Sequence, residues 1–220
     1  MSLVSIPAGE IALEGVLELP GRSNGVVLFA HGSGSGRHSP RNQYVAQELR
    51  DAGLATLLLD LLTAEEDRNR DTRFDIDLLT ERLGHAVQFA RGTPRTARLP
   101  VGLFGASTGA ASALRVAAQR TDDIGAVVSR GGRPDLTGPA LLAAVRAPTL
   151  LIVGGNDHGV IELNKAAREA LVHCQCELSI VPGATHLFEE PGALEQVARL
   201  AADWFVRHLS VSPGRDKRAG

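Results

Sequence analysis

The chain of 220 residues suits one ordinary domain and leaves no room for two full-sized ones. Hydrophobic residues make up 44% and charged residues 22%, enough for a sizeable core, so wholesale disorder is excluded. Lys and Arg total 23 against 25 Asp and Glu, a net charge of −2 without the basic excess that nucleic-acid binding calls for.

The opening stretch, MSLVSIPAGEIALEGVLELP, lacks a basic region followed by an apolar core and does not read as a signal peptide. No apolar run approaches the roughly 18 residues of a membrane span. The expectation is a cytoplasmic protein that associates with neither membrane nor nucleic acid. Its state of oligomerisation is not legible. Two cysteines, Cys174 and Cys176, form C-x-C, neither a disulfide framework nor a zinc pattern, and no metal is expected.

Leu3–Ile6 and 11–19 read as an antiparallel pair turned around Pro7-Ala8-Gly9. Unbroken apolar runs then predict buried strands at 25–30 (GVVLFA), 55–60 (ATLLLD), 101–105 (VGLFG), 126–129 (AVVS) and 149–153 (TLLIV). Residues 176–181 (CELSIV) alternate, as a strand nearer the edge does, and Cys174, Cys176, Leu178 and Ile180 fall on one face expected to be buried. Ser39-Pro40 predicts a helix start and Gly53 a stop. Leu79, Leu83, Val87 and Ala90 recur at helical spacing, as do Leu194, Val197, Ala201 and Phe205. The fold class is α/β, a three-layer α/β/α sandwich on a mostly parallel sheet. One domain is expected over 1–209, with a polar, disordered tail over 210–220.

Gly105-Ala106-Ser107-Thr108-Gly109 matches G-x-S-x-G, with an apolar strand running in and a helix-forming stretch running out. A serine on a sharp turn at a strand's carboxyl end holds its oxygen clear of the sheet, and flanking glycines avoid clashes there. The helix start directs the Thr108 N–H to where an oxyanion would develop. The bland alternative is a Gly/Ser turn that caps a helix.

A serine hydroxyl needs a base to take its proton and a carboxylate to orient that base. Of seven histidines, His186 lies in Pro182-Gly183-Ala184-Thr185-His186, a loop between the last strand and the last helix. Asp157 lies in Gly154-Gly155-Asn156-Asp157, just past strand TLLIV. Competitors fit less well. Asp60 suits capping, His85 and His208 suit helix positions, His173 has no motif around it, and His158 is a reserve beside Asp157.

Strand GVVLFA leads into His31-Gly32-Ser33-Gly34-Ser35-Gly36. A G-x-G-x-x-G reading fails because Arg37 or Ser39 stands where the last glycine belongs, and no Lys completes a P-loop. The Ser33 N–H is the better candidate, as the second oxyanion donor. His31 reads as structural.

These four segments, HGSGSG, GASTG, GGND and PGATH, resemble the α/β-hydrolase superfamily over residues 10 to 209, most of all its dienelactone hydrolase-related branch. The resemblance implies an α/β-hydrolase fold without a large lid, no cofactor, and a Ser107–Asp157–His186 triad acting on small carboxylic esters or lactones. Dienelactone hydrolases proper use a cysteine nucleophile, so Ser107 implies a general serine esterase. An acyltransferase with the same triad, or a non-catalytic ligand-binding protein on the same fold, is the alternative. All three triad positions being filled favours catalysis. Arg37 and Arg41 follow the glycine-rich loop, and Arg130 and Arg133 follow a strand end. Each is a candidate for holding an anionic substrate group, against the alternative of solvated arginines.

Overall fold

The computed structural model describes residues 2–209; the tail expected over 210–220 lies outside the described residues. The chain opens with a hairpin, β1 (Ser2–Ala8) and β2 (Ile11–Glu18), paired so that Ala8 faces Ile11. The turn therefore falls on Gly9-Glu10, with Gly9 at φ +70°, and Pro7 lies inside the strand. An edge strand tolerates proline because one side of its backbone has no ladder to complete.

The remaining strands are β3 (Val26–Ala30), β4 (Ala55–Leu59), β5 (Val101–Ala106), β6 (Ile124–Arg130), β7 (Thr149–Gly154) and β8 (Cys176–Val181). They form one sheet in the order β1-β2-β4-β3-β5-β6-β7-β8, parallel from β4 to β8, with β2 antiparallel to β4. Helices α1 (Pro40–Asp51), α2 (Arg70–Arg73), α3 (Ile76–Gly92), α4 (Thr108–Gln119), α5 (Pro139–Ala144), α6 (His158–Ala170) and α7 (Ala193–His208) complete the chain, with short 3-10 turns at Glu66–Arg68 and Pro134–Thr137.

Alternation along the strands divides the core in two. Leu28, Leu57 and Leu103 pack with α3 and α4 on one face, while Phe29, Leu58 and Phe104 pack with α1 and α7 on the other. Every residue of β3, β4, β5 and β7 is buried, which is why those strands read as unbroken apolar runs. Ser39 caps α1 by accepting from the Asn42 N–H, as its sequence position predicts. Gly53 takes φ +84° just past the helix end.

One boundary and one burial reading differ from expectation. Strand β6 continues to Arg130, so this arginine is a strand residue, not a loop residue. Cys174 precedes β8, both cysteines are only half-buried, and Ile180 is 38% exposed, because β8 is the other edge strand. Among the described residues no helix is long and apolar enough to cross a membrane.

The chain runs from β3 to one neighbour, β4, and then crosses to the other, β5, so a crevice opens beyond their carboxyl ends. The four segments singled out in the sequence follow β3, β5, β7 and β8 and leave the sheet at this end.

Candidate active site

Ser107 sits between β5 and α4 at φ 50°, ψ −120°, a strained backbone for any residue with a Cβ. Its surroundings over-determine the turn. The Ser107 N–H donates to the Arg130 carbonyl at 3.1 Å, and the Ser107 carbonyl accepts from the Ala110 and Arg133 N–H groups, each at 3.1 Å. The flanking glycines are required sterically. A Cβ on Gly105 would come within 2.7 Å of the Gly109 carbonyl, and one on Gly109 within 2.5 Å of the His31 carbonyl. Both glycines let α4 start hard against the ends of β3 and β5.

Asp157 precedes α6, yet its side chain does not cap that helix. Its Oδ2 lies 2.6 Å from His186 Nδ1 instead. A carboxylate can only accept, so Nδ1 carries the hydrogen and Nε2 keeps its lone pair. The His186 loop is pinned from two sides. The Ala184 carbonyl accepts from the Asn156 N–H at 2.9 Å, and Glu190 Oε1 accepts from the Thr185 N–H at 3.1 Å. That bond to Thr185 holds the Glu190 carboxyl below its usual range. Phe188, buried at φ 56°, closes the turn. The imidazole itself packs on Gly131, where a Cβ would lie 3.4 Å from Cε1 and Nδ1. Gly131 directly follows Arg130, the residue whose carbonyl holds the Ser107 N–H. Ser107, Asp157 and His186 thus follow the carboxyl ends of β5, β7 and β8, with β6 and the Gly131 after it between the serine turn and the His186–Asp157 pair.

Across the crevice, Gly32 approaches Ser107 so closely that a Cβ there would lie 3.1 Å from the serine Cβ. The Ser33 N–H donates to Thr108 Oγ1 at 3.0 Å. This use of the threonine side chain was not foreseen, since only its backbone N–H enters the sequence pattern. His31 is buried beneath the loop: its Nε2 accepts from the Leu61 N–H at 2.9 Å, and Nδ1 donates to the Gly32 carbonyl at 3.0 Å. Burial pushes its pKa down. It fastens the glycine-rich loop to the end of β4, the structural part expected of it.

The four arginines have separate fates. Arg37 pairs with Asp60 and Glu14, and its own N–H donates to Asp60 Oδ1 at 2.6 Å. Asp60 is thus a loop anchor. Arg133 forms a forked pair with Asp135 at 2.7 and 2.8 Å. Arg41 bonds Glu189 at 2.9 Å, three residues beyond His186. Arg130 has no acidic partner within salt-bridge distance among the described residues and is 8% exposed. Of the other histidines, His85 lies beside Glu81 in α3 and His208 packs on Trp204 in α7.

A cavity of about 830 Å³ opens beside the glycine-rich loop. Ser33, Gly34, Arg37, Arg41, Asp60 and Asp67 are among the residues that line it. Ser33 is the link between this space and the serine turn.

This sheet order, with Ser107 on a strained turn and His186 paired to Asp157, agrees with a match of residues 23–203 to the model of the "Alpha/beta hydrolase domain" family. The chain belongs to the alpha/beta hydrolase family. Within it, the dienelactone hydrolase-like branch is represented by the crystal structure of a dienelactone hydrolase from Anabaena variabilis, 55% identical with a TM-score of 0.92 over 94% of this chain and 97% of that one. A serine hydrolase without a lid from Xanthomonas campestris shares the fold at 20% identity, with a TM-score of 0.78 and 96% coverage of both chains. Proteins from two Mycobacterium tuberculosis strains that carry a phosphoribosyl transferase name are 58% identical over 211 residues. That match takes in 96% of this alpha/beta hydrolase chain but only 47% of theirs, so the chain spans about half the length of these curated relatives.

Proposed function

We propose that the protein is a serine hydrolase of small carboxylic esters or lactones, working through an acyl-enzyme on Ser107. The observation that carries this reading is the 2.6 Å pairing of His186 Nδ1 with Asp157 Oδ2 beside a serine held in a strained turn. His186 Nε2 takes the Ser107 proton as Oγ bonds to the acyl carbon. The carbonyl π electrons move onto oxygen, and the oxyanion is met by the Thr108 N–H and by the Ser33 N–H once the latter turns from Thr108 Oγ1. Collapse expels the alkoxide, which takes the proton from His186. Water then attacks the acyl-enzyme by the same proton path and releases the acid. Asp157 keeps His186 in the tautomer that this cycle needs. The chemistry requires neither metal nor cofactor, and the partner is the small-molecule substrate itself.

The name of the Anabaena relative supports an ester or lactone substrate, and the absence of a long segment between β6 and β7 disfavours long acyl chains. The transferase name belongs to proteins about twice as long and offers no substrate to this crevice. Deacylation by an alcohol in place of water, or ligand binding without turnover, are the competing readings. Incubation with a fluorophosphonate followed by intact-mass measurement decides first. One adduct on the native chain, missing from Ser107→Ala, is expected. No adduct on folded native protein moves the binding-protein reading to first place. Product analysis with and without added alcohol then separates hydrolase from transferase.

A further inference from the structure

Asn164 lies in the interior of α6 and is 0% exposed. Asparagine is a weak helix former and a buried amide must be paired, so an apolar residue would serve the helix better. What the amide touches explains its presence. Its Nδ2 donates to the Val160 carbonyl of its own helix at 2.8 Å and to the Gly132 carbonyl at 3.0 Å. Two carbonyl oxygens call for two N–H groups, which fixes the orientation of the amide and excludes an ionised carboxylate at this position. Its Oδ1 is buried without a partner among the described residues, so the side chain is held for its donors alone.

Gly132 belongs to the turn after β6, and this turn touches both halves of the candidate site. The Arg130 carbonyl accepts from the Ser107 N–H, and the Arg133 N–H donates to the Ser107 carbonyl. Gly131, at φ +51°, donates its N–H to the Ile152 carbonyl at 2.8 Å and lies against the imidazole of His186. A Cβ on Gly132 would come within 2.7 Å of Ala110 Cβ in α4. The two glycines let the turn pack this closely, but they leave it without side chains of its own to anchor it. Among the described residues, Asn164 alone sends a side-chain hydrogen bond to the main chain of Gly131 or Gly132.

Asn164 also stands in a fixed relation to Asp157, about two turns away at the start of the same helix. One helix thereby meets His186 twice. Asp157 Oδ2 takes the Nδ1 hydrogen directly. Asn164 acts at one remove, through the Gly132 carbonyl and the Gly131 backbone beside the ring.

We propose that Asn164 is a positioning residue for the triad: by holding the Gly131-Gly132 turn to α6, it sets where His186 Nε2 stands relative to Ser107. This rests on the serine-hydrolase reading above. Without the donor, the Gly132 carbonyl is free to swing, and the turn shifts both from the imidazole and, through Arg133, from Ser107. A general base misplaced by about 1 Å loses about a hundredfold in rate.

The experiment measures kcat and KM for 4-nitrophenyl acetate in native protein, Asn164→Leu, Asn164→Ser and Ala167→Gly, per active site as counted by fluorophosphonate titration run to completion. Leucine has a similar size and no donor. Serine can bond its own helix but is too short for Gly132, and it carries the test if leucine prevents folding. Ala167→Gly weakens α6 and leaves the Asn164 amide in place. Both Asn164 variants are expected to lose about 10- to 100-fold in kcat, with KM changed much less, while Ala167→Gly keeps the native kcat well below its Tm. Asn164 variants that lose Tm but keep kcat overturn the proposal. So does Ala167→Gly falling in step with them, since helix stability and not the donor would then govern the site. A second readout is independent of turnover. In protein with isotope-labelled histidine, the Cε1–H signal of His186 should move in both Asn164 variants, while that of His85 in α3 stays. If native protein cleaves no ester and forms no adduct, the hydrolase reading has failed on its own and the His186 signal decides. A shifted signal upholds the positioning role, and an unmoved one overturns it.

Discussion

The backbone N–H of Ser33 donates to Thr108 Oγ1 at 3.0 Å, joining two loops 75 residues apart in the chain. The Thr108 hydroxyl therefore holds the proposed Ser33 donor beside the Thr108 N–H until that hydrogen turns to the oxyanion. Replacing Thr108 by Val keeps the shape and removes the tie. With Gly34 at φ +70° beside it, the loop has freedom to drift. Thr108→Val is expected to lower kcat for a neutral ester by about tenfold with KM changed much less, and to cost about 1 kcal/mol of stability. Thr108→Ser should recover most of the rate, because it restores the hydroxyl. Steady-state kinetics on the three proteins checks this.

Ser107 holds a backbone conformation that carries strain for every residue except glycine. The strain should appear as stability once the side chain is dispensable. Ser107→Ala keeps a Cβ and the strain, whereas Ser107→Gly removes both. Urea unfolding should find Ser107→Gly more stable than Ser107→Ala by about 1 kcal/mol, after the entropic cost of glycine is set against the relief. Neither variant should turn over ester. Equal midpoints would mean that the turn stores no strain.

The serine turn was legible because its geometry restricts residue type locally. Gly105 and Gly109 are glycines because any Cβ meets backbone, and the apolar run before them fixes the strand. Asp157 and His186 were legible from the ends of β7 and β8 for a similar reason. What was hidden depends on contacts between distant segments. Nothing near Arg130 reveals that β6 extends to it and buries it, since VVSRGG reads equally well as a strand that stops one residue sooner. The pairing of Arg41 with Glu189, 148 residues apart, has no local signal either. The half-exposed cysteines show the same limit. Alternation fixes which residues share a face of β8, but only the strand order shows that β8 is an edge.

His31 should give the protein an acid limb. Its folded pKa is lowered from 6.5, burial being the largest cause. The unfolded chain thus takes up a proton at higher pH than the folded one does. Stability is complete above about pH 6.5 and falls as pH drops below it, by at most about 1.4 kcal/mol per pH unit from this residue. His31→Gln removes the titration and keeps an acceptor for the Leu61 N–H. Urea midpoints between pH 8 and pH 5 should fall less steeply in His31→Gln than in native protein. Parallel curves would assign the acid limb to other groups.

Asp157 stands at the start of α6 yet gives its carboxylate to His186, so the helix does not depend on its side chain for capping. Asp157→Asn therefore separates chemistry from stability. An asparagine amide can stay within hydrogen-bonding distance of Nδ1, but its N–H₂ group favours the tautomer with the proton on Nε2, where the base is no longer able to accept from Ser107. Turnover is expected to fall on the order of 10⁴-fold, by analogy with other serine hydrolases. The unfolding midpoint should move by less than about 1 kcal/mol. Glu is the informative contrast, because it restores the charge at the wrong reach and should recover only part of the rate. A full-rate Asp157→Asn enzyme would show that His186 is oriented by something other than Asp157.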